Sequence, residues 1–255
     1  VDKIDEIAAL TRKINLGDHK PVSPFEFLAL KSDLGFRIAH QIYPQDALLL
    51  TAAIYEIGHE IEQYRIPKND GIAFAYRFEL GADFSMFSQD SSYHDWISHQ
   101  YGIVDTDSSI KWVLKTDIAD YYQRIYAHRV ENLLDHASGN KALVNFVPVG
   151  GNVSRLIAEL VLSDMDSLLL EEGVNFTRFV DDFRIFLIEK SELYQVLPVL
   201  AESLALNEGL ALNQSKTELL SRGDFKAEIV QESADVLEDA DQQAIEEAKQ
   251  YLYAD

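Results

Sequence analysis

The sequence predicts a mixed α+β fold in which helices pack on a small antiparallel sheet. Apolar residues recur at helical spacing through much of the first 64 positions, and short aromatic and β-branched runs follow later. Residues 175–188 and 210–220 each read as a strand, a turn and a second strand. No internal repeat or flexible linker splits the 255 residues. This order of elements favours helices packed on an antiparallel sheet.

The first 64 residues predict three helices. The first covers residues 1–16 and is broken by Gly-Asp-His-Lys-Pro at 17–21. Ser23 and Pro24 have the pattern of an N-cap and a first helical residue. The helix that follows is expected to carry Phe27, Leu28, Leu30 and Leu34. A third helix is expected at about residues 45–64.

A loop at residues 66–71 and an aromatic strand at residues 72–80 come next. Lys68 and Arg77, with Arg65 as a third candidate, either face a phosphate or are surface cations. Residues 83–109 predict a long connection that contains a short helix near 93–100.

The middle of the chain predicts a strand that ends in an aspartate. Residues 111–118 form this strand and place Asp117 near its end, and a helix over residues 119–136 follows. A Gly-rich turn at 148–152 leads into a helix over residues 154–170. Arg155 and Glu159 are spaced to meet on one face of that helix.

Asp181 and Asp182 lie at the predicted tip of the hairpin within residues 175–188. Adjacent carboxylates repel each other, and a bound cation such as Mg²⁺ would remove that cost. The alternative is a hairpin turn with two solvated aspartates. A helix over residues 191–207, interrupted or kinked at Pro198, follows the hairpin, and an acidic helix is expected over 233–253.

The composition limits the possible functions. The formal net charge of -21 argues against binding nucleic acid through bulk charge, so such contacts would be local or made with help from elsewhere. The sequence has no cysteine, which excludes disulfides and thiolate metal sites. No apolar run reaches the length of a membrane span, and no basic-then-apolar segment opens the chain, which favours a cytoplasmic location without membrane contact.

Asp117, Asp181 and Asp182 would converge at one sheet edge if the strand of residues 111–118 lies beside the hairpin. Such a cluster would bind two divalent ions, which can activate an attacking hydroxyl and stabilise a leaving phosphate. Magnesium suits these hard oxygen ligands, and manganese is a possible substitute.

Four motifs in this order resemble those of a reverse transcriptase. They are Thr-Asp-Ile-Ala-Asp-Tyr-Tyr at 116–122, Pro-Val-Gly at 148–150 with Ser-Arg at 154–155, Phe-Val-Asp-Asp at 179–182, and Leu-Asn-Gln-Ser-Lys-Thr at 212–217. The resemblance implies a right-hand polymerase palm, which is the small catalytic sheet packed on helices, with helical fingers before it. It implies fingers over residues 1–110, palm over 111–225, and an acidic helix over 226–255 that begins a missing or truncated thumb-like region.

The resemblance also implies roles for individual residues. Asp117 and Asp181 would hold both metal ions with the Ile118 carbonyl, and Asp182 would be a weaker or outer ligand. Tyr122 matches a steric gate that excludes a ribose 2′-OH, with a core aromatic as the alternative. Lys216 matches a lysine that protonates pyrophosphate, or it is a surface lysine.

Four further residues would contact substrates if the resemblance holds. Lys68 and Arg77 fall in the fingers, where cations meet the triphosphate. Gly150 lies in the loop that holds template and incoming nucleotide, and Arg155 touches one of these or pairs with Glu159. Val149 stands where many relatives have Gln, so unusual template handling is expected.

A finer resemblance is to bacterial abortive-infection and defence-associated reverse transcriptases. It rests on Arg-Ile-Tyr-Ala-His-Arg at 124–129, on the Pro-x-Gly-x-x-x-Ser-Arg-x-x-Ala-Glu spacing of 148–159, and on Arg-Phe-Val-Asp-Asp-Phe-Arg at 178–184. It implies dNTPs as substrates, RNA-templated or untemplated and protein-primed synthesis, and a role against phage. Expected partners are an RNA or DNA template or product and a helical C-terminal region or partner protein, with further copies of the chain as another candidate. The alternative is a catalytically dispensable palm that acts as a binding or assembly module, and a further one is another palm enzyme such as a viral RNA polymerase or a nucleotide cyclase.

Overall fold

The computed structural model describes residues 3–125 and 152–234, apart from gaps at 16–18, 20–21, 23, 33–34 and 83–84. Its helices are α1 (Ile4–Thr11), α2 (Pro44–Tyr64), α3 (Tyr93–Thr106), α4 (Tyr121–Arg124), α5 (Asn152–Val161), α6 (Ser163–Glu171), α7 (Leu193–Glu208) and α8 (222–234). Its strands are β1 (Phe25–Ser32), β2 (Gly35–Gln41), β3 (Trp112–Asp117), β4 (Phe176–Phe179), β5 (Asp182–Leu187) and β6 (Glu218–Ser221). Single 3₁₀ turns lie at Lys68–Asp70, Lys190–Glu192 and Gln214–Lys216.

A four-stranded antiparallel sheet in the order β4-β5-β3-β6 forms the centre of the fold. Because strand side chains alternate between faces, Leu114 and Ile185 pack against α5 and α6 in the larger core cluster. Val113 and Phe186 lie in a second cluster with side chains of α3 and α8. Both faces of the sheet are therefore covered by helices, which explains why β5 is buried almost throughout.

The helix predicted after Ser23 and Pro24 is wrong. Residues 25–41 form an antiparallel hairpin in which Phe25 pairs with Gln41 and Leu30 with Phe36. Pro24 precedes the first strand and Gly35 opens the second, so the residues taken for a helix cap border a hairpin instead. The apolar side chains of this hairpin are mostly exposed, and Leu28 is 70% exposed. Their spacing therefore did not reflect a buried helical face.

The strand predicted over residues 72–80 is reduced to two isolated bridges, Ala73 with Arg178 and Phe78 with Phe87. Buried arginine side chains take the backbone carbonyls of this segment. Arg77 binds the carbonyl of Ala73, and Arg65 binds those of Ala75 and Tyr76. These bonds satisfy the carbonyls without a strand partner, and the positive φ of Tyr76 interrupts the extended backbone that a ladder needs.

Other boundaries shift without changing the class. Helix α3 runs to Thr106, and its N-terminus carries a capping box between Ser92 and Asp95. The helix predicted over 154–170 is two helices that meet at Leu162. Helix α7 continues through Pro198. The Gly-rich turn, most of the predicted helix 119–136 and nearly all of the acidic tail lie outside the described residues.

Two helical glycines give a matched test of this packing. A Cβ on Gly58 in α2 would lie 2.4 Å from the ring of Phe78, whereas one on Gly102 in α3 would meet nothing within 4 Å. We expect Gly58→Ala to lower the free energy of unfolding by about 1–3 kcal/mol through overpacking. Gly102→Ala should raise it by about 0.5–1 kcal/mol, because alanine loses less entropy in a helix. Urea denaturation measures both, and equal effects of the two variants would contradict the packing of α2 on Phe78.

Candidate functional site

The sheet register brings the first and third motifs together at one edge. Asp117, the last residue of β3, pairs directly with Asp182, the first residue of β5. The backbone nitrogen of Ile118 donates to the carbonyl of Asp181 at 3.2 Å, so the pairing continues into the turn. Asp117 lies 64 positions before Asp181 in the sequence, yet it reaches the same sheet edge as the adjacent residues Asp181 and Asp182. The sequence predicted this convergence.

The turn that carries Asp181 has an unusual backbone. Val180 has a φ of 54°, and Asp181 is not among the residues with positive φ. This pattern fits a two-residue turn whose first position normally takes glycine. A β-branched residue is strained in this conformation, and such strain persists only where surrounding contacts hold it. Arg178 supplies one of these contacts by donating from Nη1 to the Val180 carbonyl at 3.0 Å.

The carboxylates at this edge repel one another. Burial, and then the neighbouring Asp117 and Asp182, raise the pKa of Asp181 to about 7. Burial also raises the pKa of Asp182, although Arg184, whose Nη1 lies 3.8 Å from the carboxylate, acts in the opposite direction. Burial is the largest cause of both pKa shifts and the neighbouring carboxylates add to it, so a positive charge bound at this edge would stabilise the ionised acids.

The fourth motif closes over Asp117. The backbone nitrogen of Asn213 donates to the Asp117 carbonyl at 2.7 Å, and its side-chain amide lies 3.4 Å from Oδ1. Lys216 Nζ forms an ion pair with Oδ2 of Asp117, and this bond raises the pKa of Lys216. The sequence predicted Lys216 as a site residue, and the structure places its ammonium group on the aspartate of the first motif.

Aromatic residues and a cation form the neighbouring wall. Tyr122 in α4 is half-buried, with its ring centroid 5.6 Å from that of Tyr121. Burial raises the pKa of Tyr122 above its ordinary value, with smaller contributions from Tyr76 and Asp181. The guanidinium of Arg155 lies 5.1 Å above the Tyr76 ring. Arg155 therefore lies against Tyr76, and Tyr122 is close enough to Tyr76 and Asp181 for both to act on its pKa.

The two predicted finger cations have other surroundings. Lys68 Nζ binds Ser88 Oγ at 2.7 Å and forms an ion pair with Asp90. Arg77 is 1% exposed, and its three nitrogens bind the carbonyls of Ala73 and Ile66 and a carboxylate oxygen of Glu62. All three nitrogens of Arg77 thus donate to groups of the protein itself, which is typical of a structural arginine. Gly150 lies outside the described residues.

The sequence did not indicate the partners of Glu159, which was expected to face Arg155. Its Oε2 accepts from Arg65 and from Arg178, each at 2.7 Å. Asp166 receives a two-pronged bond from Arg178 at 2.6 and 2.7 Å. A charged residue inside an otherwise apolar stretch was the only available signal, and it does not reveal partners 19 and 94 positions away.

The donor chemistry of the edge fits a hard divalent cation. Two buried or half-buried carboxylates and a third in the adjacent turn offer oxygen ligands, and a cation would offset the burial and the repulsion that together raise the pKa of Asp181. In the described part of the chain, no three acidic or histidine side chains are already arranged as a metal site. Lys216 instead neutralises Asp117, so metal binding requires a local rearrangement of these side chains.

Comparison with known proteins agrees with this geometry. The profile of the family described as reverse transcriptase (RNA-dependent DNA polymerase) matches residues 62–250. Among solved structures, telomerase from Candida albicans in complex with a fragment of telomeric RNA is similar with a TM-score of 0.52 and 13% identity. That similarity shows the fold alone, and it covers 86% of this chain but 45% of the telomerase chain. No curated protein matches.

The profile match extends over both the aspartate strand and the Asp-Asp hairpin, and the structural match supports a palm sheet packed on helices. The predicted α+β palm fold is therefore confirmed. Among the described residues, no helix is long and apolar enough to cross a bilayer. Since the profile covers most of the sequence, this chain belongs to the reverse transcriptase (RNA-dependent DNA polymerase) family.

Proposed function

We propose that this chain catalyses the addition of dNTPs to a nucleic acid or protein hydroxyl, as a polymerase of the reverse transcriptase type. The observation that carries the proposal is the direct pairing of Asp117 with Asp182, with Asp181 in the adjoining turn. Membership of the family supports RNA as a template, and the telomerase neighbour contains RNA in its structure.

Asp117, Asp181 and the carbonyl of Ile118 would hold the divalent cations, and Asp182 would support them from further out. Mg²⁺ is the proposed ion, with Mn²⁺ as a substitute, because the donors are hard oxygens. Two bound cations supply activation of the attacking hydroxyl and stabilisation of the departing pyrophosphate.

Lys216 has two compatible roles in this proposal. Without metal, its ammonium group neutralises Asp117. When Asp117 turns to a cation, Lys216 is free to move towards the pyrophosphate, and about half of its side chain is already exposed. Since the ordinary pKa of a lysine is about 10.4, Lys216 carries a proton at neutral pH even without its bond to Asp117, as a proton donor must.

Tyr122 provides the sharpest test of the substrate class. If its ring excludes a ribose 2′-OH, Tyr122→Ala should raise the incorporation of NTPs relative to dNTPs by at least about 10-fold, since one steric exclusion is worth about 1–3 kcal/mol. Tyr122→Phe keeps the ring and should retain the discrimination. Extension of a labelled primer with each nucleotide set, in Mg²⁺, measures the ratio. An unchanged ratio in the alanine variant, with extension intact, would remove Tyr122 from the nucleotide pocket.

The proposed biological role is antiviral defence in the bacterial cytoplasm. Its support is the resemblance of residues 124–129, 148–159 and 178–184 to defence-associated reverse transcriptases. The proposed division is fingers over 1–110, palm over 111–225 and an acidic helical region over 226–255. Since the net charge is -21, we propose that template and product are held by local contacts and by another region, a partner protein or further copies of the chain.

A further inference from the structure

A single carboxylate oxygen joins two arginines that reach different sides of the site. Oε2 of Glu159 accepts from Arg65 Nη2 and from Arg178 Nη1, each at 2.7 Å. Glu159 and Arg178 are 0% exposed and Arg65 is 3% exposed, so water does not screen these bonds. The other oxygen of Glu159 has no hydrogen-bond partner within the described residues, which concentrates its interactions on Oε2.

Each of these arginines also holds the backbone of a strained residue. Arg178 Nη1 donates to the carbonyl of Val180 at 3.0 Å, and Arg65 Nη1 donates to that of Tyr76 at 2.9 Å. Val180 has a φ of 54° and Tyr76 a φ of 48°. In the described residues, Asp120 is the only other non-glycine residue with positive φ. Strained backbone of this kind requires contacts that over-determine it, and both contacts here trace back to Glu159.

The two strained residues adjoin different parts of the proposed site. Val180 immediately precedes Asp181, so its backbone sets the direction of that carboxylate. Tyr76 lies under the guanidinium of Arg155 and, after burial, contributes to the raised pKa of Tyr122. Arg155 and Tyr122 are the proposed nucleotide-binding side chains. A movement of Glu159 would therefore shift the metal-binding turn and the nucleotide wall together.

We propose that Glu159 is a positioning residue that aligns the turn of Asp181 with the nucleotide-binding wall at Tyr76, acting through Arg178 and Arg65. This inference rests on the proposed nucleotide addition for its meaning. It assigns a role to a residue that contacts neither substrate nor metal itself.

The test compares three variants of the full chain. Glu159→Gln keeps the shape but places an amide group against two guanidinium groups. Arg65→Lys keeps the charge but loses the planar fork that links Glu159 to Tyr76. Asp166→Asn is the matched control, because it weakens another buried bond of Arg178 and leaves the bonds to Glu159 and Val180 in place.

Mn²⁺ binding, measured by electron paramagnetic resonance without substrate, reports on the metal side, and the KM for dNTPs reports on the nucleotide side. We expect Glu159→Gln to weaken Mn²⁺ binding about 10-fold and to lower kcat about 10- to 100-fold, as loss of a group that orients a metal ligand does. It should also raise the KM. Arg65→Lys should raise only the KM, and Asp166→Asn should change neither value by more than about 2-fold.

The inference is overturned if folded Glu159→Gln has the Mn²⁺ affinity and KM of the wild type, or if Asp166→Asn shifts both as strongly. If Glu159→Gln does not fold, as judged by circular dichroism, Arg65→Lys decides: a raised KM with unchanged Mn²⁺ binding supports the role, and an unchanged KM rejects it. A wild-type chain that binds Mn²⁺ but adds no nucleotide would reject the proposed function alone, and the Mn²⁺ comparison of the variants would still decide the inference.

Discussion

Replacing Asp181 by Asn is expected to reduce dNTP addition by at least about 100-fold at saturating Mg²⁺. Loss of a group that only orients a metal ligand already costs up to about 100-fold in activity, and Asp181 is proposed to bind the metal itself. The reason is that Asp181 lies in the turn next to the paired Asp117 and Asp182, where burial and then these two carboxylates raise its pKa, so a bound cation would interact strongly with it. An amide at this position cannot supply the negative charge that a cation requires. Incorporation of a labelled dNTP into primer or protein measures the loss.

The folded state should tolerate this change. Asn removes one of three mutually repelling carboxylates, so the free energy of unfolding in the presence of a chelator should be equal to or above that of the wild type. Glu202→Gln, which removes an exposed charge on α7, is the control and should leave both activity and stability unchanged. Addition within 10-fold of the wild type in Asp181→Asn would place the chemistry elsewhere.

Asp181→Asn also distinguishes a polymerase that acts through nucleotide addition from a palm that acts as a binding or assembly module. If nucleotide addition carries the proposed defence, cells that express Asp181→Asn should lose protection against phage in a plating assay. Full protection by an inactive variant would instead support a palm that serves as a binding or assembly module.

Replacing Arg178 by Met is expected to lower the free energy of unfolding by about 3–5 kcal/mol, the range for removing one partner of a buried ion pair. Burial alone would lower the pKa of Arg178, but Asp166 and Glu159 outweigh it and raise that pKa. Both carboxylates are almost completely buried. Without Arg178, they would be left with too little positive charge, and burial already raises the pKa of Asp166.

Urea denaturation at neutral pH measures this effect. Arg12→Met removes an exposed arginine next to α1 and should change the free energy of unfolding by no more than about 0.5 kcal/mol. A loss of less than about 1 kcal/mol in Arg178→Met would show that the buried acids find other partners.

The sequence predicted the parts of the site that follow from local pattern. Asp117 was recognisable because it ends a strand, and Asp181 and Asp182 because they interrupt an aromatic run at a turn. Lys216 was recognisable as a site residue from the fourth motif, although the pattern did not separate it from a surface lysine, and its ion pair with Asp117 was not predicted. The residue types and their order were sufficient to predict the convergence of the three aspartates because strand ends and turns are marked by local pattern.

Local sequence pattern did not predict which charged residues are buried or which distant residues they contact. Arg77 appears in the sequence as a cation near a loop, and nothing local shows that its donors are used by Glu62 and two carbonyls. Glu159 was assigned to its helical neighbour Arg155, whereas its observed partners lie on β4 and just after α2. The hairpin of residues 25–41 was missed because its apolar residues satisfy a helical spacing while facing solvent on two strands.

The pairing of β3 with β5 limits how this chain can vary. Side chains along a strand point alternately to the two sides of the sheet, so one added residue between Trp112 and Asp117 would turn Asp117 away from Asp182. Every acidic residue would still be present, and a motif search would score such a chain as intact. Insertions and deletions in natural variants should therefore be absent from β3 even where individual substitutions are tolerated. When homologous chains are judged to be active or inactive, the positions of gaps are therefore as informative as the identities of the residues.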